Sequence, residues 1–186
     1  MEGPLNPVEA AARALLGRTI TAHDVTVRLT EVEAYAGPDD PASHAVTRTP
    51  RSEVMHGEPG RLYVYRSYGL HFCANVVTGP VGVPGAVLLR AGEVVAGIEV
   101  ARARRGRGEG WPDVRLASGP GNLGAALGFT LADNGDVARL GPEVRTASAI
   151  RTGPRVGVAK AADVAWRFWL PSEPSVSAYR RSPRAH

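Results

Sequence analysis

Glu33 lies in a run, Glu31-Val-Glu33-Ala-Tyr35, that follows an alternation of Val25, Val27 and Leu29 with Thr26, Arg28 and Thr30. If the period of two is unbroken, Glu33 shares a strand face with the three apolar residues and leaves the core at the edge of a cleft. Burial raises a carboxyl pKa and a neighbouring arginine lowers it, so such a group can be tuned for proton transfer or charge stabilisation. The plainer reading is a strand that has reached solvent, with Glu31 and Glu33 as surface charges.

Aromatic and imidazole side chains cluster near that carboxylate in the chain. Tyr35, Tyr63, Tyr65 and Tyr68 are four of the five tyrosines, and His44, His56 and His71 are three of the five histidines. Tyr63 and Tyr65 are two apart and point to one face of a strand, where flat rings stack on a planar ligand or simply stabilise the sheet. Tyr68 sits in Ser67-Tyr68-Gly69, a turn in which Gly69 supplies the positive φ of a tight hairpin. No core is available at a hairpin tip, and protruding side chains of this kind can wedge between bases and unstack them.

Other chemistries fit less well. Glu33, Asp39, Asp40, His44 and His56 include the residue types of a facial iron site, but no local spacing matches a metal motif, and Asp39-Asp40-Pro41 reads as turn chemistry. There is no GxSxG signal for a serine nucleophile. Gly119-Pro-Gly-Asn-Leu-Gly124 has GxGxxG spacing without a good strand before it. It reads as a glycine turn at a helix N-terminus, either structural or holding a phosphate through backbone N–H groups.

The elements that must position these residues can be sketched. Asn6-Pro-Val-Glu9 carries a capping residue, a first-position proline and an acid three residues after the cap, which predicts a helix over 7–16. Strands are expected over 25–35, through a hairpin from 62 to 78, and over 86–90, 155–158 and 166–170. Apolar Val94, Ile98 and Ala101 predict a helix over 93–105, and a second helix follows the turn at Ser118–Asn122. Asn134-Gly135 reads as a turn, and the tail over 180–186 as loose. The expected fold is α+β: a single domain over 1–186, built on a mostly antiparallel sheet with a protruding hairpin and flanking helices.

With 186 residues, 44% hydrophobic and 22% charged, the chain can bury one good core. No apolar run approaches a membrane span, and the first residues lack a basic-then-apolar leader, so a soluble, unprocessed protein is expected. Cys73, the single cysteine, allows no internal disulfide, which fits a reducing, cytoplasmic compartment. A net charge of +4 points to a polyanionic partner.

Read in order, Glu31-Val-Glu33-Ala-Tyr35-x-Gly-Pro-x-Asp40-x3-His44, then Gly60-x-Leu-Tyr63-Val-Tyr65-x2-Tyr68-Gly69-x2-Phe72-Cys73-x-Asn75, then Val87-Leu-Leu-Arg90-Ala resemble the alkyladenine (3-methyladenine) DNA glycosylase family. Ser118-Gly-Pro, Arg155-Val156-Gly-Val and Ser175-Val-Ser177 continue the pattern, so the resemblance spans nearly the whole chain. It implies a monofunctional enzyme that flips a damaged purine (3-methyladenine, 7-methylguanine, hypoxanthine or ethenoadenine) from double-stranded DNA and hydrolyses its N-glycosidic bond, starting base excision repair.

The resemblance makes Glu33 the general base on the attacking water, with Arg90 and the Val156 backbone around that water. Tyr35, His44 and Tyr65 would lie against the base, Asn75 would exclude the 2-amino group of guanine, and Tyr68, with Tyr63 and Gly69 beside it, would engage DNA. Arg66, Leu70 and His71 flank that wedge with more polar character than the family's bulky apolar counterparts. No metal or cofactor is implied, and a monomer suffices. Lyase chemistry needs an amine, and the only lysine, Lys160, lies outside the implied pocket. Two other readings remain: a non-catalytic nucleic-acid-binding sheet with tyrosine stacking platforms, and a small-molecule hydrolase using Glu33 and His44.

Overall fold

The computed structural model describes residues 6–143 and 149–186. Helix α1 (Pro7–Leu15) begins as expected: the Asn6 side chain accepts the Val8 N–H, and the Glu9 carboxylate accepts the Asn6 N–H, both at 3.1 Å. Strands β1 (Arg18–Ala22) and β2 (Val25–Tyr35) form an antiparallel pair. Of these, β1 carries no strong strand signal in the sequence.

The hairpin of β3 (Leu62–Ser67) and β4 (His71–Val77) turns through Tyr68 and Gly69, both at positive φ (49° and 69°), with the Leu70 N–H donating to the Ser67 carbonyl. Glycine takes that conformation freely, whereas in tyrosine it is strained.

Strand β5 spans Ala86–Ala96, so the helix expected over 93–105 shrinks to α2 (Ile98–Arg104). Glu93 and Val94 pair with Arg28 and Val27 of β2 instead. Gly92 permits this, because a Cβ there would overlap the Val27 side chain and the Arg28 carbonyl oxygen. The strand ends at Gly97, whose φ of 73° starts the helix.

The chain continues through β6 (Ala117–Ser118), α3 (Pro120–Leu127), β7 (Leu140–Glu143), β8 (Arg151–Gly153) and β9 (Arg167–Trp169). The strand expected over 155–158 is a loop: Gly157 has φ of 72°, and the Val156 N–H donates to a side chain rather than to a neighbouring strand. The segment over 180–186, expected to be loose, meets that loop, with the Arg180 carbonyl accepting the Gly157 N–H and the His186 N–H donating to Ala159.

The sheet runs β3-β4-β5-β2-β1-β7, with β6 beside β5, β9 beside β2 and β8 beside β9; every pairing is antiparallel. The fold is α+β, as expected. Its main core packs α1 and α3 against one sheet face through Val8, Ala12, Leu15, Leu123, Ala126 and Leu127.

One expectation about β2 fails in a useful way. The core takes Val25, Val27 and Leu29, then Val32 and Ala34, so the inward-facing positions change parity. Register shifts between Leu29 and Glu31 and between Glu31 and Val32 accompany the change; Thr30 and then Arg90 of β5 stand outside the pairing. An extra residue in a strand turns every later side chain to the other face. Glu33 therefore lies on the face opposite Val25, Val27 and Leu29.

The GxGxxG segment is packed against the hairpin. A Cβ at Gly121 would lie 2.8 Å from the His71 ring, and one at Gly124 would overlap the Phe72 carbonyl oxygen. Helix propensity alone favours alanine over glycine by about 1 kcal/mol. Gly124→Ala is nonetheless expected to lose about 1–3 kcal/mol, because backbone cannot yield as a side chain can. Urea denaturation of the variant checks this, and a midpoint at or above the parent's would contradict the close packing.

Candidate active site

Strand register assembles the site. Arg167 of β9 lies opposite Glu33 of β2, Glu33 opposite Leu88 of β5, Leu88 opposite Asn75 of β4, and Asn75 opposite Tyr63 of β3. Directly paired residues share a face, so one transverse row carries a carboxylate, an amide and a phenol on the side away from the main core. Along the strands, Tyr35 and Tyr65 join that face from two residues further on. A cavity of about 530 Å³ opens over the row, within the usual range for small-ligand sites.

Glu33 forms its floor and has no solvent-accessible surface. One carboxylate oxygen, Oε1, accepts the Val156 N–H at 2.7 Å and faces Arg90 Nη1 at 3.3 Å; the other, Oε2, accepts the Tyr35 hydroxyl at 2.9 Å. Burial pushes the carboxyl pKa up, opposed by Arg90, the Val156 N–H and the Tyr35 hydroxyl, while Glu31 adds to the rise; the net direction is upward. A carboxylate offers about four acceptor positions. The Val156 N–H and the Tyr35 hydroxyl take two of these, and Arg90 stands by as an ion-pair partner, so acceptor capacity remains for a further proton.

Arg90 spreads its donors. Nε donates to Glu31 Oε1 at 3.0 Å and Nη2 to Ser177 Oγ at 3.1 Å, both closer than its contact with Glu33. Glu31, also fully buried, accepts Arg167 Nε at 2.6 Å and the Ser177 N–H at 2.7 Å. Two carboxylates and two guanidiniums thus neutralise one another beneath the cavity.

The loop presenting the Val156 N–H is held by its neighbour. The buried Arg155 forms a two-pronged pair with Asp40, at 2.6 and 2.9 Å, and donates to the Ala34 carbonyl. Its guanidinium lies 4.7 Å from the centroid of the Tyr35 ring. Asp40 in turn accepts the Ala36 and Ala42 N–H groups, which is the turn role its sequence context suggests.

The opposite wall is aromatic. Tyr63 and Tyr65 stack with centroids 5.6 Å apart, and the His44 ring stands edge-on to both. His44 Nδ1 is 3.0 Å from the Tyr63 hydroxyl. Burial first, and the Arg51 charge second, hold the His44 pKa below its usual value. The imidazole is therefore neutral at physiological pH.

Asn75 donates from Nδ2 to the Tyr63 carbonyl, which fixes the amide. Tyr68 stands 90% exposed at the cavity rim, beside an exposed Leu70.

Of the residues singled out in the sequence, Glu33, Tyr35, His44, Tyr63, Tyr65, Tyr68, Asn75, Arg90 and Val156 all line this one cavity. Gly69 is not among the lining residues and serves the turn. Asp40 and His44 of the weighed metal set are bound to Arg155 and Tyr63, and among the described residues no group of three or more His, Cys, Asp or Glu is arranged to hold a metal ion. No helix among them is long and apolar enough to cross a membrane. Sequence reasoning gave no role to Arg167, and it did not anticipate Arg51 and Met55 in the lining.

Because the folded pKa of Glu33 lies above its value in an unfolded chain, the sign of its contribution is fixed. That contribution is complete below the ordinary carboxyl value, about 4.3, and is lost as pH rises through the raised value. Glu33→Gln, which cannot ionise, should therefore gain in Tm relative to the parent as pH goes from 4.5 to 8. Paired thermal melts across that range test it, and a pH-independent difference would show that the buried charge carries no such cost.

The family model for methylpurine-DNA glycosylase matches residues 4–174. A protein of Rhodococcus jostii is 55% identical over 96% of this chain and 84% of its own length. One of Nocardia farcinica is 55% identical over 94% and 88%, and one of Mycobacterium bovis 52% over 97% and 93%. All three are provisionally named 3-methyladenine DNA glycosylases. A match of that extent, over a chain whose register builds a buried carboxylate into an aromatic cavity, makes this protein a member of the methylpurine-DNA glycosylase family.

Proposed function

We propose that this DNA glycosylase takes a damaged purine out of duplex DNA into the cavity and hydrolyses its glycosidic bond, with Glu33 as the base on the attacking water. The observation that carries the reading is the placement of Glu33: sealed from bulk solvent, held by two hydrogen-bond donors and an arginine ion pair, and left with acceptor capacity at the floor of an aromatic cavity. A raised pKa makes the carboxylate a better proton acceptor, and Arg90 with the Val156 N–H keeps it ionised and aimed.

Purines alkylated at N3 or N7 are already cationic and leave readily. For these the enzyme has only to place water at C1′ and support positive charge on the sugar, and one carboxylate serves both purposes. Tyr35, Tyr65 and the neutral His44 offer the base π faces without an opposing imidazolium charge. 3-Methyladenine and 7-methylguanine are the first substrates on this reading, with ethenoadenine and hypoxanthine as neutral lesions recognised by shape. On this reading Asn75, whose amide is held by its bond to the Tyr63 carbonyl, rejects the 2-amino group of guanine.

In the free protein the Tyr35 hydroxyl covers Oε2. A base entering against the Tyr35 ring moves that hydroxyl and admits the water. Tyr68 fills the gap left in the duplex: its exposure and its strained φ of 49° are costly for a residue without a partner. Lys160 is not among the lining residues, and on this reading the reaction stops at the abasic site and a monomer acts alone.

Glu33→Gln should reduce release of 3-methyladenine or ethenoadenine from a duplex by about 10²–10⁴-fold while leaving lesion binding intact. Tyr68→Ala should weaken lesion-duplex binding by about 1–3 kcal/mol. Base release is read by chromatography, and abasic sites by alkali. Full activity in Glu33→Gln removes Glu33 as the base; tight binding by the parent with no release favours a non-catalytic binding sheet; strand breaks without alkali overturn the monofunctional assignment.

A further inference from the structure

We propose that Glu31 and Arg167, neither of which lines the cavity, are positioning residues that apportion Arg90 between two carboxylates and thereby set the basicity of Glu33. The inference rests on Glu33 being the base. Arg90 donates hydrogen bonds to Glu31 and Ser177, at 3.0 and 3.1 Å, and meets Glu33 as an ion pair at 3.3 Å. Glu31 is what draws it away. Glu31 is held in turn by Arg167 Nε and the Ser177 N–H, and Arg167 Nη2 donates to the Ser177 carbonyl at 2.9 Å.

Arg167 is itself pinned, with its guanidinium 4.6 Å from the Trp169 ring centroid and 5.9 Å from that of Tyr179. Glu31, Arg90 and Arg167 are all nearly or fully buried, so their charges act through little solvent. The remaining groups that act on Glu33 are the Tyr35 hydroxyl from β2, the Val156 N–H from its loop, and Tyr65 from β3; Arg155 reaches it only through Tyr35.

The arrangement settles a conflict built into the site. A guanidinium fully committed to Glu33 would keep it ionised but would lower its basicity and occupy the lone pairs that a water needs. One fully committed to Glu31 would leave Glu33 to protonate. With Arg167 neutralising Glu31, the pull on Arg90 is partial.

The two residues therefore have opposite effects. Glu31→Gln frees Arg90 for Glu33 and removes a neighbouring negative charge, which moves the acid limb of the pH–rate profile down. Arg167→Met leaves two carboxylates sharing one guanidinium and moves it up. Each displacement should be about 0.5–1 pH unit. A merely structural role would lower the rate at every pH and leave the limb in place.

Single-turnover release of ethenoadenine from a duplex, followed between pH 4.5 and 8 with a no-enzyme control at each pH, reads the limb. Opposite shifts support the inference; no shift, or shifts of one sign, overturn it. Should either buried substitution prevent folding, Ser177→Ala decides. It removes only the Nη2 acceptor of Arg90, and the limb should move down by a smaller amount; an unmoved limb there overturns the inference. Glu33→Gln runs alongside: loss of activity with unmoved limbs in the other variants sinks only the positioning role, whereas retained activity sinks the assignment of the base.

Discussion

The face reversal in β2 is the constraint on which the rest depends. A strand that alternated strictly from Val25 would drive Glu31 and Glu33 into the apolar layer under α1 and α3, where neither carboxylate would find a donor. The register shift at Thr30 sends Val32 and Ala34 to that layer and both carboxylates to the other side. It falls where the edge of β2 changes partners: Gly17, just before β1, donates to Leu29, and Leu170, just after β9, donates to Thr30. The compensating shift at Arg90 restores pairing with β5 and leaves that arginine between the two acids.

Moving two carboxylates out of water is unfavourable by several kcal/mol each unless they are fully satisfied. Glu31 has Arg90, Arg167 and the Ser177 N–H, and Glu33 has Arg90, the Val156 N–H and the Tyr35 hydroxyl. These donors come from five separate stretches of chain, so the ionic cluster also ties β9, β5 and the loops at 156 and 177 to β2. Asp40 and Arg155 do the same for the loops on either side of Tyr35. Such pairs add little net stability compared with an apolar core. They make the members of the site interdependent, because removing one partner leaves the other less well compensated.

Much of the site could be read from residue types. Tyrosines at 63 and 65, a tyrosine in a hairpin turn and an arginine ending an apolar strand are unusual enough to be noticed, and all line the cavity. The face change was also visible in principle, since apolar positions pass from 25, 27 and 29 to 32 and 34; the acids at 31 and 33 continue the odd-numbered series and mask it. Arg167 was not legible. It lies 136 residues from the carboxylate it binds and looks like a polar residue in an aromatic strand until β9 is paired with β2. The Glu93 region failed for another reason: helical spacing of three apolar residues competes with a strand partner, and long-range pairing wins over local periodicity once Gly92 lets β2 come close.

The Tyr35 hydroxyl on Glu33 joins burial to reactivity. A carboxylate whose pKa is raised by burial would lose that rise if water had free access to it, and a carboxylate permanently closed could not activate water. A hydroxyl that closes one carboxylate oxygen, on a ring that itself lines the cavity, keeps the burial and leaves the group next to the cavity space. The Arg155 guanidinium beneath that ring, clamped by Asp40, gives the ring a fixed backing. The same cluster presents the Val156 N–H, so the group that orients the carboxylate and the ring that guards it are set by one ion pair. A flat ligand that reaches the cavity therefore meets, on that side, a ring whose position is already set.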